Sequence, residues 1–387
     1  MDRAVVVECV RSPVGKANAE TGFFRDVRSD DLAVSVVEGL LNRTGIAPDE
    51  IEDCLLGNTQ QQGEQGFCVA RNVALMSGLS VETGGVTINR LCGSSLQAVN
   101  QGAHAIMSGF ENVQIVGGLE HMQHIPMDKD IDINPKLFKR TSKGALMMGV
   151  TAEFLAQMHS ISREAQDDFA LRSHELAAAA TADGHFKKEI VPVWGKNEEG
   201  ERTLIDFDQS IRSDTSREAL AKLKPAFMPG MGTVTAGNSS PMNDGAAALL
   251  IMSESKAESL GLTPLARIIA TAVAGVDPCV MGTGPVPATH KALARAGLAL
   301  DDIDLIELNE AFAAQAIACI QMLEAKLDRV NVAGGAIAIG HPLGASGARI
   351  ATTLIRNMIA REARYGLATM CIGVGQGIAT IFERVEN

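Results

Sequence analysis

At 387 residues the chain has room for two domains or for one large duplicated one. A net charge of −12 argues against nucleic acid or an anionic membrane as the main partner, because either would be repelled overall. Hydrophobic residues make up 46% of the chain, with 38 glycines but one Trp and one Tyr, which points to many buried strand–helix turns and away from an aromatic-rich binding surface. The seven cysteines (9, 54, 68, 92, 279, 319 and 371) are odd in number, scattered and free of any CxxC pair. That pattern fits reduced thiols in a cytoplasmic protein, not a disulfide framework or a zinc site. The N-terminus runs straight into a strand, without the layout of a signal peptide, and no run approaches ~18 apolar residues. A soluble protein without integral membrane association is the expectation.

In chain order, residues 4–10 form a continuous apolar run, as expected of a strand covered on both faces. Residues 32–41 carry helical spacing, closed by Gly45. A strand is expected at 51–56, a helix at 67–76, and a β-branched run at 86–88 that ends in Asn89-Arg90. There a turn of small residues holds Cys92, and 94–108 reads as a helix. A cysteine between a buried strand and a buried helix stands where free amides and the helix dipole favour a thiolate. A buried structural cysteine is the plainer reading of this stretch alone. A strand at 113–116 ends at Gly117-Gly118. This alternation predicts an α/β fold with a largely parallel sheet.

From residue 120 to about 237 the character changes. His121, His124, Pro126, Pro135 and a basic knot (Lys136, Lys139, Arg140, Lys143) precede helices at 151–158 and 163–182, and the strand pattern resumes at 245–251. The segment reads as an excursion inserted into the α/β core. The last third then repeats the first. Residues 41–51 align with 293–303, an offset of 252, which also carries Asn89 onto His341, Cys92 onto Gly344 and Ser94 onto Ser346. Duplication would bring a thiol and an imidazole to one crevice from opposite halves. Two further stretches carry candidate chemistry. Asn309-Glu310-Ala311-Phe312 follows a strand at 304–308 and reads by itself as a helix N-cap. Cys371-Ile-Gly-Val-Gly-Gln-Gly377 has the glycines of a phosphate loop, but strand follows where such a loop needs helix, so a sharp turn with exposed amides is expected.

Asn89-Arg-Leu-Cys92-Gly-Ser-Ser, Asn309-Glu-Ala-Phe312, Gly340-His341-Pro-Leu-Gly344 and Cys371 to Gly377 resemble, in order and spacing, the four signature blocks of the thiolases. The resemblance implies a five-layered α/β/α/β/α fold of two similar halves with an inserted loop domain that binds coenzyme A. The expected divisions are 1–119 plus 238–265, 120–237, and 266–387. It implies thiolysis of a 3-oxoacyl-CoA, with Cys92 as nucleophile activated by His341, and Cys371 as acid and base. His341 and a water on Asn309 would face one oxyanion, and the amides of Cys92 and Gly373 the other. Ser240 matches the pantetheine-contacting serine, and Arg212 corresponds to a residue near the adenine. Met147-Met148-Gly149 stands where acetoacetyl-CoA enzymes show His-Met-Gly, and with the segment 120–127 it favours the degradative branch over the biosynthetic one. A thiolase-fold protein that only binds acyl-CoA or lipid would be expected to lack one of Cys92, His341 and Cys371. No permanent cofactor and no metal are implied, with coenzyme A as co-substrate. The implied assembly is a homodimer within an α2β2 complex with a hydratase/3-hydroxyacyl-CoA dehydrogenase subunit. Ser95 departs from the glycine usual at its position.

Overall fold

The computed structural model describes residues 2–386. In the first part of the chain come β1 (Ala4–Arg11), β2 (Gly15–Lys16), α1 (Ser29–Thr44), β3 (Asp53–Gly57), α2 (Val69–Met76), β4 (Val86–Ile88), α3 (Ser94–Met107) and β5 (Val113–His121). The excursion holds α4 (Met148–Met158), α5 (Arg163–Ala182), β6 (Val193–Lys196), β7 (Arg202–Ile205) and α6 (Arg217–Ala221). Then follow β8 (Asn243–Ser253), α7 (Glu254–Leu260), β9 (Ala266–Gly275), α8 (Pro285–Ala296), β10 (Leu305–Leu308), α9 (Ala313–Leu323), α10 (Ala336–Ile339), α11 (Leu343–Ala360), β11 (Tyr365–Ile372) and β12 (Gln376–Arg384).

The strands hydrogen-bond in the order β10-β11-β12-β9-β1-β8-β5-β3-β4, with β2 beside β8, while β6 and β7 form a separate ribbon. The path is symmetric about its middle. From one end, β4, β3 and β5 run parallel and then β8 and β1 antiparallel. From the other, Val330 bridges β10, β10 and β11 run parallel, and β12 and β9 follow antiparallel. The two halves meet in a short antiparallel contact, Val5 opposite Arg267 and Val6 opposite Ala266. The offset of 252 recurs in three dimensions: Gly45 and Gly297 close α1 and α8 with φ of 65° and 67°. Such left-handed C-caps favour glycine because it has no Cβ to clash.

Three apolar cores make the layers. Leu32, Val36, Val37 and Leu40 of α1 and Val69 and Val73 of α2 cover one face of the first half-sheet, around Ile115 and Leu250. Ala288, Ala292 and Leu293 of α8 and Ala316 and Cys319 of α9 cover the outer face of the second, around Leu308, Leu367 and Ile381. Between the half-sheets lie α3 and α11, whose Leu96, Val99, Ile350 and Leu354 share a core with Val116, Leu249 and Met370. The duplicated, five-layered reading therefore holds. A largely parallel sheet does not: the three-residue turn 373–375 between β11 and β12 is too short for the crossover a parallel pair needs, and the sheet is mixed.

Gly117 and Gly118 do not end their strand, which runs on to His121. They are glycines because of close approach. A Cβ on Gly118 would collide with the carbonyl oxygens of Gly344 and Gly57, and one on Gly117 with Ala247. Ser95, the departure from the expected glycine, is fully buried and accepts a 2.9 Å hydrogen bond from the Ala348 amide, pinning α3 to α11. The two central helices thus begin side by side, where the layers meet.

Candidate active site

Cys92 sits in an elbow that its neighbours force. After β4, Asn89 Oδ1 accepts from the Leu91 amide at 2.8 Å, and Asn89 Nδ2 donates to Thr59 O at 2.9 Å. Leu91 is driven to φ 45°, uncommon for a residue with a branched side chain. Ser94 Oγ ties the elbow by accepting from the Arg90 amide (2.9 Å) and donating to Leu91 O (2.6 Å). Gly93 is required because a Cβ there would stand 2.5 Å from Ile372 Cδ1 of the opposite half. Arg90 stitches the two halves at this point, its guanidinium bridging Gln97 and Gln376 at 2.9 Å each.

Cys92 is half-buried, and the amides of Gly373 and of Cys92 itself favour its thiolate. The sequence-based expectation of a thiolate is corrected here. Desolvation outweighs the two amides and pushes the Cys92 thiol up to about 11. α3 begins two residues further on, so the free amides that reach the sulfur come from the elbow and from the glycine turn of the other half.

His341 follows Gly340, whose φ of 119° suits glycine and whose missing Cβ makes room for Asn243. Asn243 Oδ1 accepts from the His341 amide at 3.0 Å. The ring is 5% exposed, and burial, aided by the charge of Arg349, pushes it down to about 3, so it rests neutral. Its tautomer follows from its partners. Ser346 Oγ lies 2.6 Å from Nδ1 and donates its own hydrogen to Pro342 O at 2.9 Å, so Nδ1 carries the proton. Nε2 is left without a proton and accepts from Asn309 Nδ2 at 3.3 Å.

Asn309 is not a helix cap. The N-cap of α9 is Phe312, with no side-chain cap bond, and the Asn309 amide still belongs to the sheet, donating to Thr369 O at 3.0 Å. Its Oδ1 is buried without a protein partner, a position that suits a bound water. Cys371 lies in β11, 2% exposed, against Met281, Ala314 and Ala318, with Met148 beside them. Its thiol is raised well above the ordinary value by burial first and then by the charge of Cys92, which places the two sulfurs within electrostatic reach.

Asn309 and His341 are thus brought together, and Cys92 is brought near the Gly373 amide and within electrostatic reach of Cys371. The other expected residues lie outward. Ser240 is half-buried and donates its amide to Ala311 O at 3.0 Å. Arg212 is exposed, its amide donating to His174 Nδ1 at 3.1 Å. Met147 is 55% exposed, and it is Met148 whose sulfur approaches Gly373. His124 is structural: it stacks on His121 at 3.8 Å and bonds Glu64 Oε1 at 2.8 Å. Sequence reasoning missed Glu120, fully buried, which gathers the Thr59 hydroxyl (2.6 Å) and the Gly344 amide (2.9 Å) and so holds the start of α11. It also missed the part played by Ser346, although the repeat had marked that position.

Comparison with known proteins shows the family. Residues 4–255 match the thiolase N-terminal domain and residues 262–384 the thiolase C-terminal domain. The chain belongs to the thiolase family. A 3-ketoacyl-CoA thiolase of Vibrio cholerae serotype O1 is 55% identical over 388 residues, covering 99% of this chain and 100% of that one. One from Photobacterium profundum is 53% identical over 389 residues, covering both chains completely. The crystal structure of the Bacillus anthracis acetyl-CoA acetyltransferase superposes with a TM-score of 0.91 at 39% identity, covering 100% of this thiolase and 99% of that chain. No helix among the described residues is long and apolar enough to cross a membrane.

Proposed function

We propose that this thiolase cleaves a 3-oxoacyl-CoA with coenzyme A, giving acetyl-CoA and an acyl-CoA two carbons shorter, in fatty-acid β-oxidation. The observation that supports the residue assignment is that two proton-bearing thiols, Cys92 and Cys371, lie within electrostatic reach of one another, in a fold that also sets His341 Nε2 3.3 Å from Asn309 Nδ2. At rest Cys92 is a thiol and His341 neutral, so the proton passes to His341 Nε2 as Cys92 Sγ attacks the 3-keto carbon. The oxyanion that forms takes the position the sulfur's two donors face, the amides of Cys92 and Gly373. Collapse breaks the bond between carbons 2 and 3. The acetyl-CoA enolate is held by the protonated His341 and by a water on Asn309 Oδ1, and Cys371, whose raised thiol holds its proton at neutral pH, protonates carbon 2. The Cys371 thiolate then removes the proton of an incoming coenzyme A. Coenzyme A attacks the acyl group on Cys92, and His341 returns its proton to the departing sulfur.

Ser240 on the pantetheine, and Arg212 with the basic residues of 136–143 on the phosphates and adenine, complete the coenzyme A reading, with 120–237 as the segment that supplies much of it. A homodimer is supported by β4, an edge strand with an unpaired side, and by Phe67 and Val81, 97% and 78% exposed. Association with a hydratase/dehydrogenase subunit rests on the resemblance to the degradative enzymes. The deciding experiment compares coenzyme-A-dependent cleavage of 3-oxohexadecanoyl-CoA and acetoacetyl-CoA by the purified protein. Cleavage of the long substrate is expected; a rate on the four-carbon substrate alone would overturn the degradative reading, and none on either would overturn the activity.

A further inference from the structure

Glu153 of α4 is 1% exposed, and the chemistry above gives its carboxylate no task. Three donors of one loop meet it: the Thr233 amide at 2.8 Å, the Thr233 hydroxyl at 3.0 Å and the Val234 amide at 3.0 Å. The loop lies so close that a Cβ on Gly232 would stand 2.1 Å from Glu153 Oε1. A charged acceptor holds such donors more strongly than a neutral one, and its loss leaves them costly to orphan. Apolar packing does little to fasten residues 229–232. Pro229 and Gly230 are exposed, Met231 is 77% exposed, and a cavity of about 190 Å3 lined by Met231 and Thr233 with Ser160 and Ser162 adjoins the loop.

The loop so held leads directly to Ser240. Thr233 O accepts from Asn238 Nδ2 at 3.1 Å, and Asn238 Oδ1 accepts from the Thr235 amide at 2.8 Å, so the turn 233–238 closes on itself. Asn238 is fully buried, and its Nδ2 also donates to Asp167 Oδ1 of α5 at 2.9 Å. Beyond it the chain docks on the segment that follows Asn309. The Ala313 amide donates to Asn238 O at 2.9 Å, and the Ser240 amide to Ala311 O at 3.0 Å. At its other end α4 touches the reacting turn. Met148, its first residue, lies beside Gly373, while Gly149 leaves room for Phe227, whose ring meets Phe312 edge-on at 5.8 Å. One helix thus holds residues against both Gly373 and the loop that carries Ser240.

We propose that Glu153 is a positioning residue for coenzyme A: by fixing the turn 232–238 it sets where Ser240 meets the pantetheine arm relative to the reacting turn at Gly373. This rests on the reading of Ser240 as the pantetheine contact. Glu153→Gln keeps the size of the side chain but turns an amide NH2 toward the loop's own donors, so the loop has to move. The test is the Kd of coenzyme A, measured by calorimetry without turnover in a double-mutant cycle with Ser240→Ala. Each single variant should weaken coenzyme A about tenfold, and the double variant should bind no more weakly than the weaker single one. Alkylation of Cys92 by iodoacetamide, which needs no coenzyme A, should keep the parent rate in Glu153→Gln. Thr233→Ser keeps all three donors and should bind like the parent. Thr233→Val removes one, should weaken binding, and carries the test if Glu153→Gln fails to fold. Parent-like binding by a folded Glu153→Gln, additive losses in the cycle, or an altered alkylation rate would each overturn the proposal. A parent protein that binds no coenzyme A would overturn the Ser240 reading and this one together, whereas a parent that binds it beside an unaffected Glu153→Gln overturns this one alone.

Discussion

Ser346→Ala isolates one interaction on which the chemistry depends. The hydroxyl accepts from His341 Nδ1 at 2.6 Å and donates to Pro342 O at 2.9 Å, and its surroundings are closed to solvent. Removing it leaves a buried imidazole N–H without an acceptor, which costs about 1–3 kcal/mol of folding stability. The larger consequence is for the tautomer. Only the form with Nδ1 protonated uses that acceptor, and a neutral hydrogen bond is worth about 1 kcal/mol net, so its loss shifts the tautomer ratio roughly five- to tenfold away from the form with Nε2 bare. Since Nε2 takes the Cys92 proton in the proposed mechanism, kcat/KM should fall severalfold, at most about tenfold. The assay is steady-state thiolysis at saturating coenzyme A, with a thermal melt and coenzyme A binding as controls. Binding should hold while turnover drops. A folded Ser346→Ala protein whose kcat/KM stays within about twofold of the parent would show that Ser346 does not select the tautomer and that Nε2 is not the base.

Three further outcomes are expected. Cys92→Ala should give no covalent acyl-enzyme by intact mass after exposure to substrate without coenzyme A; a label appearing on another residue would remove Cys92 as nucleophile. Because burial pushes the Cys92 thiol up to about 11, its thiolate fraction should climb about tenfold per pH unit through the neutral range. Alkylation of Cys92 by iodoacetamide should therefore rise steadily from pH 7 to 9, and a plateau near neutrality would mean a resting thiolate. Gly118→Ala forces a methyl group onto the Gly344 and Gly57 carbonyls at the junction of the layers, so it should destabilise by about 3 kcal/mol or more, read from denaturant melts. A melt like that of the parent would contradict the close approach.

Much of the fold was legible because its local signals were strong. The apolar runs of β1 and β8, the helical spacing of α1, and the repeated Leu-x-Arg-x-Gly stretch at an offset of 252 each depend on residues near one another in sequence. The misreadings came where a small residue answers to a distant neighbour. Gly117 and Gly118 look like a strand end, yet they are spaces kept clear for β8 and α11. Asn309 looks like a cap, yet its side chain turns to His341 on another element. No local pattern carries that information.

The candidates for the reacting groups were set by the order of amino acids: two cysteines and a histidine at the ends of buried strands and the start of a helix, on repeat-related or glycine-rich turns. Their ionisation was not. An amide or a helix start pulls a thiol toward its anion, and that much can be argued from the sequence. How far water is excluded depends on what packs around the sulfur, and here Met281 and Ala314, from other elements, pack with Cys371, while burial raises both thiols and leaves the imidazole neutral. Desolvation is a property of the whole enclosure, so only the assembled layers could decide it.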